Sequence, residues 1–267
     1  MSALIPLVPV DASVASSYQK SGGTGGARST LITLSQLGKA GVAVPEAAAA
    51  LKALSAAVAA RGGDFRVTEC HRDVAVQKAA RAKYDAWVKA GKPKPGTPGF
   101  DAATMKAAFV AAPGRSGHNA GRSIDVDLSS LRFPGVPADR QLDVLWQICV
   151  PLGWSPIIKS ADERASEAWH FDYHGELKGV MQRLGYEQWA LCGAIFVGHG
   201  DLSGFDAEVQ ALLCRAGFDI GAIDGKIGPK TRTALAQALG VSEDTAATLI
   251  ISKNPSVYAQ LLRLPAK

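Results

Sequence analysis

Arg115-Ser116-Gly117-His118-Asn119-Ala120-Gly121-Arg122-Ser123-Ile124-Asp125-Val126-Asp127 is the stretch on which the reading of this chain turns. It sets a histidine ahead of an aspartate, with a glycine just before the histidine, another between the two, and a β-prone Ser-Ile-Asp-Val-Asp run at its end. In a strand, alternate side chains point to opposite faces, so Asp125 and Asp127 share one face while Ile124 and Val126 share the other. Gly121 permits the sharp turn that returns His118 to the side of Asp125. Farther on, Glu167-Ala168-Trp169-His170 supplies a second histidine and a spare glutamate. A catalytic Zn2+ needs three N or O ligands, an open position and a nearby base. His118, Asp125 and His170 are the candidate ligands and Glu167 the candidate base. Trp169 and Phe171 would alternate with His170 and pack into the core.

Other readings use the same residues. His118 and His170 can be isolated, hydrogen-bonded histidines. Ser116, His118 and Asp125 are the right types for a serine-hydrolase triad. However, His118 stands where the last glycine of a G-x-S-x-G elbow belongs. A Cys70–His71 thiol pair is weaker, because adjacent strand residues face opposite ways.

Outward from this stretch, punctuation residues set the expected elements. Residues 1–28 read as a flexible N-terminal arm ending in Ser21-Gly22-Gly23-Thr24-Gly25-Gly26. A helix is expected over 45–60, opened by Pro45 and stopped by Gly62-Gly63. A strand at 65–69 delivers Cys70-His71-Arg72, and a helix at 74–89 runs into a Gly/Pro loop. Further helices are expected at 101–111, 139–150, 176–184 and 187–197, with strands near 153–158 and 169–173. Gly198 to Gly204 reads as a linker to a helical tail. The fold class is therefore α+β: a small antiparallel sheet with flanking helices holding a zinc site, followed by a small all-α three-helix domain. The expected domains are residues 29–200 and 204–267.

Composition narrows the function classes. The chain has 267 residues, 47% of them hydrophobic and 20% charged, which is ordinary for a globular protein. A net charge of +5 without a Lys/Arg run argues against nucleic acid and suits an acidic polymer such as a bacterial wall. The longest uncharged run, residues 144–158, is too short to span a bilayer, so membrane insertion is not expected. The proline-broken start does not read as a secretory signal. Cys70, Cys149, Cys192 and Cys214 are widely spaced and read as reduced core residues.

Ser116-x-His118-x-x-Gly121-x-Ser123-x-Asp125 followed by Glu167-x-Trp169-His170 resembles the zinc D-Ala-D-Ala metallopeptidases, a group related to lysostaphin-type wall peptidases and to the hedgehog zinc fold. The match departs only at Ser123, where the family carries alanine. The resemblance implies zinc on His118, Asp125 and His170, with Glu167 as general base. It also implies an upstream arginine that binds an oxyanion or a substrate carboxylate. Arg72 stands there, in Arg72-Asp73-Val74-Ala75-Val76-Gln77, with His71 for the family's aromatic residue and Asp73 for its serine. A planar guanidinium suits that role because it grips carboxylates through two bonds. Ser116, Ser123 and Gln77 are the accompanying candidates for substrate contacts. Asp127 reads as a solvated carboxylate within reach of a ligand imidazole, His174 as a residue lining the cleft, and His71 and His199 as structural or exposed.

The tail carries a second resemblance. Val209-Gln210 followed by Asp224-Gly225-Lys226-Ile227-Gly228-Pro229 and Thr231 to Leu235 resembles the three-helix peptidoglycan-binding domain. Together the two resemblances imply hydrolysis of peptidoglycan stem peptides, as a D-Ala-D-Ala carboxypeptidase or an endolysin-type endopeptidase. Action at the cell wall or periplasm follows, with release from the cytoplasm in the endolysin manner. The competing class is a non-catalytic wall-binding protein that keeps zinc for structure.

Overall fold

The computed structural model describes residues 4–11, 14, 41–94, 96–100, 110–198, 201–202 and 204–267. Helix α1 (Pro45–Ala60) opens on a proline whose missing N–H would be unpaired anyway. Its buried residues Ala47, Leu51, Leu54 and Val58 recur at helical spacing and make one apolar stripe. Gly62, at φ +67°, ends the run. Helix α2 (Val74–Lys89) is capped by Asp73, whose carboxylate accepts from the Ala75 N–H at 2.7 Å. Aspartate and serine are equivalent N-caps, so Asp73 performs locally what the family's serine can.

Strands β1 (Val8–Pro9) and β2 (Val42–Ala43) form a two-stranded ribbon. The main sheet is antiparallel, in the order β3 (Val67–Glu69), β4 (Ser123–Val126), β6 (His170–Tyr173), β5 (Trp154–Pro156). Ile124, Val126 and Phe171 pack with the α1 stripe and with Leu142, Leu145 and Cys149 of α3 (Gln141–Cys149). Each fully buried Leu or Ile here contributes about 1.5–3 kcal/mol relative to exposure.

A second apolar core joins α4 (Lys178–Leu184) and α5 (Tyr186–Phe196) to α6 (Phe205–Arg215), α7 (Pro229–Leu239), α8 (Glu243–Thr248) and α9 (Pro255–Leu262). The packing thus groups α4 and α5 with the tail, ahead of the expected linker at 198–204. Gln210 explains the tail's motif. Buried on α6, it donates to Asp224 Oδ1 and the Lys226 carbonyl, both at 2.9 Å, and accepts from the N–H groups of Asp224 and Gly225. One carboxamide therefore holds the whole Asp224-Gly225 turn. The tail has four helices among the described residues where three are expected, because α8 and α9 are short, separate segments.

The loose-arm reading fails for the part of residues 1–28 that the structure describes. The Ile5 N–H donates to the Phe196 carbonyl and the Val10 N–H to the Gly41 carbonyl, while Val10 and Val14 are buried. Apolar Ile5, Leu7, Val8 and Val10 supply that burial. The rest of the arm, residues 101–109 of the helix expected over 101–111, and His199 lie outside the described residues. Trp169 also departs from expectation: it is half-buried and belongs to neither apolar core. Strand β6 begins only at His170, so the alternation does not extend back to Trp169.

Candidate metal centre

Register brings the candidate ligands together. In the β4–β6 ladder Asp125 lies opposite His170 and Ser123 opposite Asp172, so these four side chains share the face turned away from Ile124 and Phe171. His118 arrives from the 115–122 loop, a series of tight turns in which the Asn119 N–H donates to Ser116 O, the Gly121 N–H to His118 O and the Arg122 N–H to Gly117 O. Gly121, at φ +64°, makes the last turn; a Cβ there would come within 2.7 Å of Leu7 Cδ2 and 3.2 Å of the Val44 nitrogen.

Both imidazoles are held through their far nitrogens. His118 Nδ1 lies 2.6 Å from the Cys70 carbonyl oxygen, which can only accept, so that nitrogen carries the proton. His170 Nε2 lies 3.0 Å from Asp172 Oδ1. Asp172 is oriented in turn by the Ser123 hydroxyl at 2.5 Å. The near nitrogens, His118 Nε2 and His170 Nδ1, lie 3.2 and 3.1 Å from Asp125 Oδ1 and can turn lone pairs to a metal once it displaces their protons. All three ligand atoms lie within 4.8 Å of one another and all three residues are buried. A tetrahedral ion bonded at 2.0–2.2 Å holds its ligands roughly 3.4 Å apart, so the cluster has the dimensions of a zinc corner. Two nitrogens, one oxygen and tied far nitrogens are also the donor set that zinc takes.

Electrostatics agrees with the geometry. Burial would raise the Asp125 carboxyl, but His118 and His170 hold it well below the usual carboxylate range. Burial would lower His170, yet Asp172 and Asp125 push it up to about 10. Buried titratable groups shifted by one another in this way mark a candidate functional site.

Glu167 stands just outside the cluster. It is one of two described non-glycine residues at positive φ, +67°, in a turn closed by the His170 N–H donating to its carbonyl at 3.0 Å. That conformation costs a non-glycine residue about 1–2 kcal/mol. Desolvation raises its carboxyl above the ordinary value, against the opposing pull of His170. Strain and a raised carboxyl beside three candidate ligand atoms make Glu167 a candidate functional residue.

Arg72 follows β3. Its Nε donates to Glu69 Oε1 at 2.7 Å, its Nη2 to Glu69 Oε2, and its Nη1 to Gln77 Oε1 at 2.8 Å. Gln77 is fully buried and spends its own amide on the Ala111 carbonyl, so it positions Arg72 and does not face a substrate. Ser116 and Ser123 also turn inward. The Ser116 hydroxyl accepts from the His118 N–H, and the Ser123 hydroxyl serves Asp172. Asp127 caps the turn after β4 through the Ser129 N–H. His174 packs edge-on to Trp189, toward the second core. Asp172, the Cys70 carbonyl and Glu69 are the contributors that sequence reasoning missed. For Asp172 a signal existed, since it sits two residues past His170 on the same strand face.

A buried His–Asp–His corner on an antiparallel α+β sheet, with a strained glutamate beside it, is a candidate metal centre. The family model of the VanY D-alanyl-D-alanine carboxypeptidases matches residues 42–176, which is 135 of 267 residues, and the chain belongs to that family. No individual curated protein matches the chain. The match ends where the second core begins, at Leu177. No helix among the described residues is long and apolar enough to cross a membrane.

Proposed function

We propose that the protein is a zinc-dependent carboxypeptidase that removes the terminal D-Ala from peptidoglycan stem peptides. The observation that carries this reading is the convergence of His118 Nε2, Asp125 Oδ1 and His170 Nδ1 while the opposite ring nitrogens are tied to Cys70 and Asp172. These three residues would hold the ion, and Zn2+, when bound, supplies Lewis acidity for the scissile carbonyl and for a water. Glu167 takes the proton of the attacking water on its carboxylate and passes it to the leaving amine. Its raised pKa suits both halves of that transfer. Arg72, braced by Glu69 and Gln77, pairs its guanidinium with the terminal carboxylate. The helices beyond residue 204 serve as a wall-binding module that keeps the site near its polymer.

The test is mass spectrometry of purified muropeptides incubated with the protein, with and without a chelator, and with Glu167→Gln. Chelator-sensitive release of D-Ala from wild type alone supports the reading. Internal cuts instead identify an endopeptidase. Activity unchanged in Glu167→Gln overturns the mechanism, and no product at all leaves a wall-binding protein.

A further inference from the structure

The four cysteines are all free and buried, yet they fall into two kinds. Cys70 and Cys149 sit in the sheet core, where burial drives both thiols up. Cys192 and Cys214 sit in the second core, on the packed helices α5 and α6. Cys192 Sγ reaches the Ala211 carbonyl at 3.5 Å, so α5 approaches the α6 backbone closely there. Cys214 lies three residues beyond Ala211, one turn along the same face of α6, and the two thiols are near enough to shift one another's titration. Both side chains are fully buried, so the contact is not a chance meeting of mobile surface groups. Arg183, from α4, donates to the Cys214 carbonyl. The Cys192 contact, with Arg183, holds Cys214 below the usual thiol range against the pull of burial.

We propose that Cys192 and Cys214 are a disulfide-forming pair that staples the helical tail to α5. Peptidoglycan, the family's substrate class, lies outside the cytoplasmic membrane, where disulfides form and persist. The oxidant is another disulfide, of the glutathione or thiol–disulfide oxidoreductase class, and it acts as the chain folds, before the core closes. The Cys214 thiolate attacks one sulfur of that disulfide, forming a mixed disulfide and releasing the first thiolate. The Cys192 thiolate then attacks the Cys214 sulfur, closing the protein disulfide and releasing the second. Two protein thiols lose two protons and two electrons, and one oxidant disulfide becomes two thiols. Closing the sulfurs to about 2.05 Å takes a side-chain adjustment between two buried groups on helices packed against each other.

The experiment uses the full chain refolded in a glutathione redox buffer, alkylated and digested with trypsin. No Lys or Arg lies between Arg183 and Arg215, so residues 184–215 emerge as one peptide carrying these two cysteines and no other. The expected product lacks two hydrogens, and cleavage after Glu208 leaves its halves joined, while Cys70 and Cys149 are recovered alkylated. Recovery of residues 184–215 with both thiols alkylated, or each carrying glutathione, overturns the proposal. Independently, oxidised wild type should melt roughly 5–10 °C above its reduced form, a difference that disappears in Cys192→Ala. Equal midpoints for oxidised and reduced wild type would refute the staple even if the bond forms. Neither readout depends on peptidase activity, so this inference and the proposed function fail separately.

Discussion

Gly117→Ala tests the chain of contacts that aims His170. A Cβ at residue 117 would fall 1.9 Å from Ser123 Oγ, 2.6 Å from Asp172 Oδ1 and 3.1 Å from Trp189 Cζ3. Trp189 is fully buried, so the ring cannot swing away and the Ser123–Asp172 pair must give. That pair is a hydrogen bond to a carboxylate, with a net worth of about 1.5–3 kcal/mol, and overpacking a core adds about 1–3 kcal/mol. The two effects share atoms and will not add fully, so about 2–5 kcal/mol of stability should go. The second consequence concerns metal. Asp172 moves off His170 Nε2, the imidazole loses its fixed tautomer, and zinc affinity should fall about 10–100-fold. Chelator competition gives the Kd and calorimetry gives the Tm. Gly228→Ala, where a new Cβ meets nothing within 4 Å, controls for the loss of a glycine as such. A zinc Kd within about twofold of wild type together with an unchanged Tm would refute the argument that residue 117 must be small to aim His170.

Other outcomes follow from the same geometry. Glu167→Gln should lower kcat by about 10²–10⁴-fold while zinc still binds, as activity and chelator-competition assays would show. Glu167→Gly should abolish activity yet raise stability by about 1 kcal/mol in chemical denaturation, because glycine adopts φ +67° without strain. In the metal-free protein His170, raised to about 10, stabilises the fold fully below its unfolded pKa near 6.5 and loses that contribution as pH rises through about 10. Zinc binding near pH 7.5 should therefore release about one proton, measurable by calorimetry in buffers of different ionisation enthalpy. Glu69→Ala leaves Arg72 without its carboxylate and should cost about 3–5 kcal/mol, read from the denaturation midpoint. Burial opposes the charge on Glu69, but Arg72 keeps its carboxyl low, so the pair's contribution is present above the ordinary carboxylate range and lost as pH falls through the folded value.

Local chemistry was legible wherever one residue settles one outcome. Pro45 and Gly62 bound α1, Asp73 starts α2, and Gly121 makes the turn after His118. His118, Asp125, His170 and Glu167 were legible as a group because few side chains can serve a metal and a base. The second ring of the site was not. Ser123 and Gln77, chosen as substrate contacts, bond inward to Asp172 and Arg72, because what a polar side chain meets depends on the strand or helix laid against it. Residues 4–11 follow the same rule: their apolar side chains are too few to signal a strand until β2 supplies a partner.

By itself the sequence determined which atoms are available: two imidazoles, one ligand carboxylate, one spare carboxylate, and glycines where the backbone must turn. Those are properties of single residues and short spacings, and they hold in any fold that contains them. Only the tertiary structure decided what each atom faces. The β4–β6 register sets Asp125 against His170 and Ser123 against Asp172, and a slip of one residue would send all four to the other side of the sheet. The same is true of the thiols: Cys192 and Cys214 are ordinary buried cysteines in the sequence and become a pair only when α5 packs on α6. Partner choice across elements is a long-range property, set by packing and register and carried by no single segment.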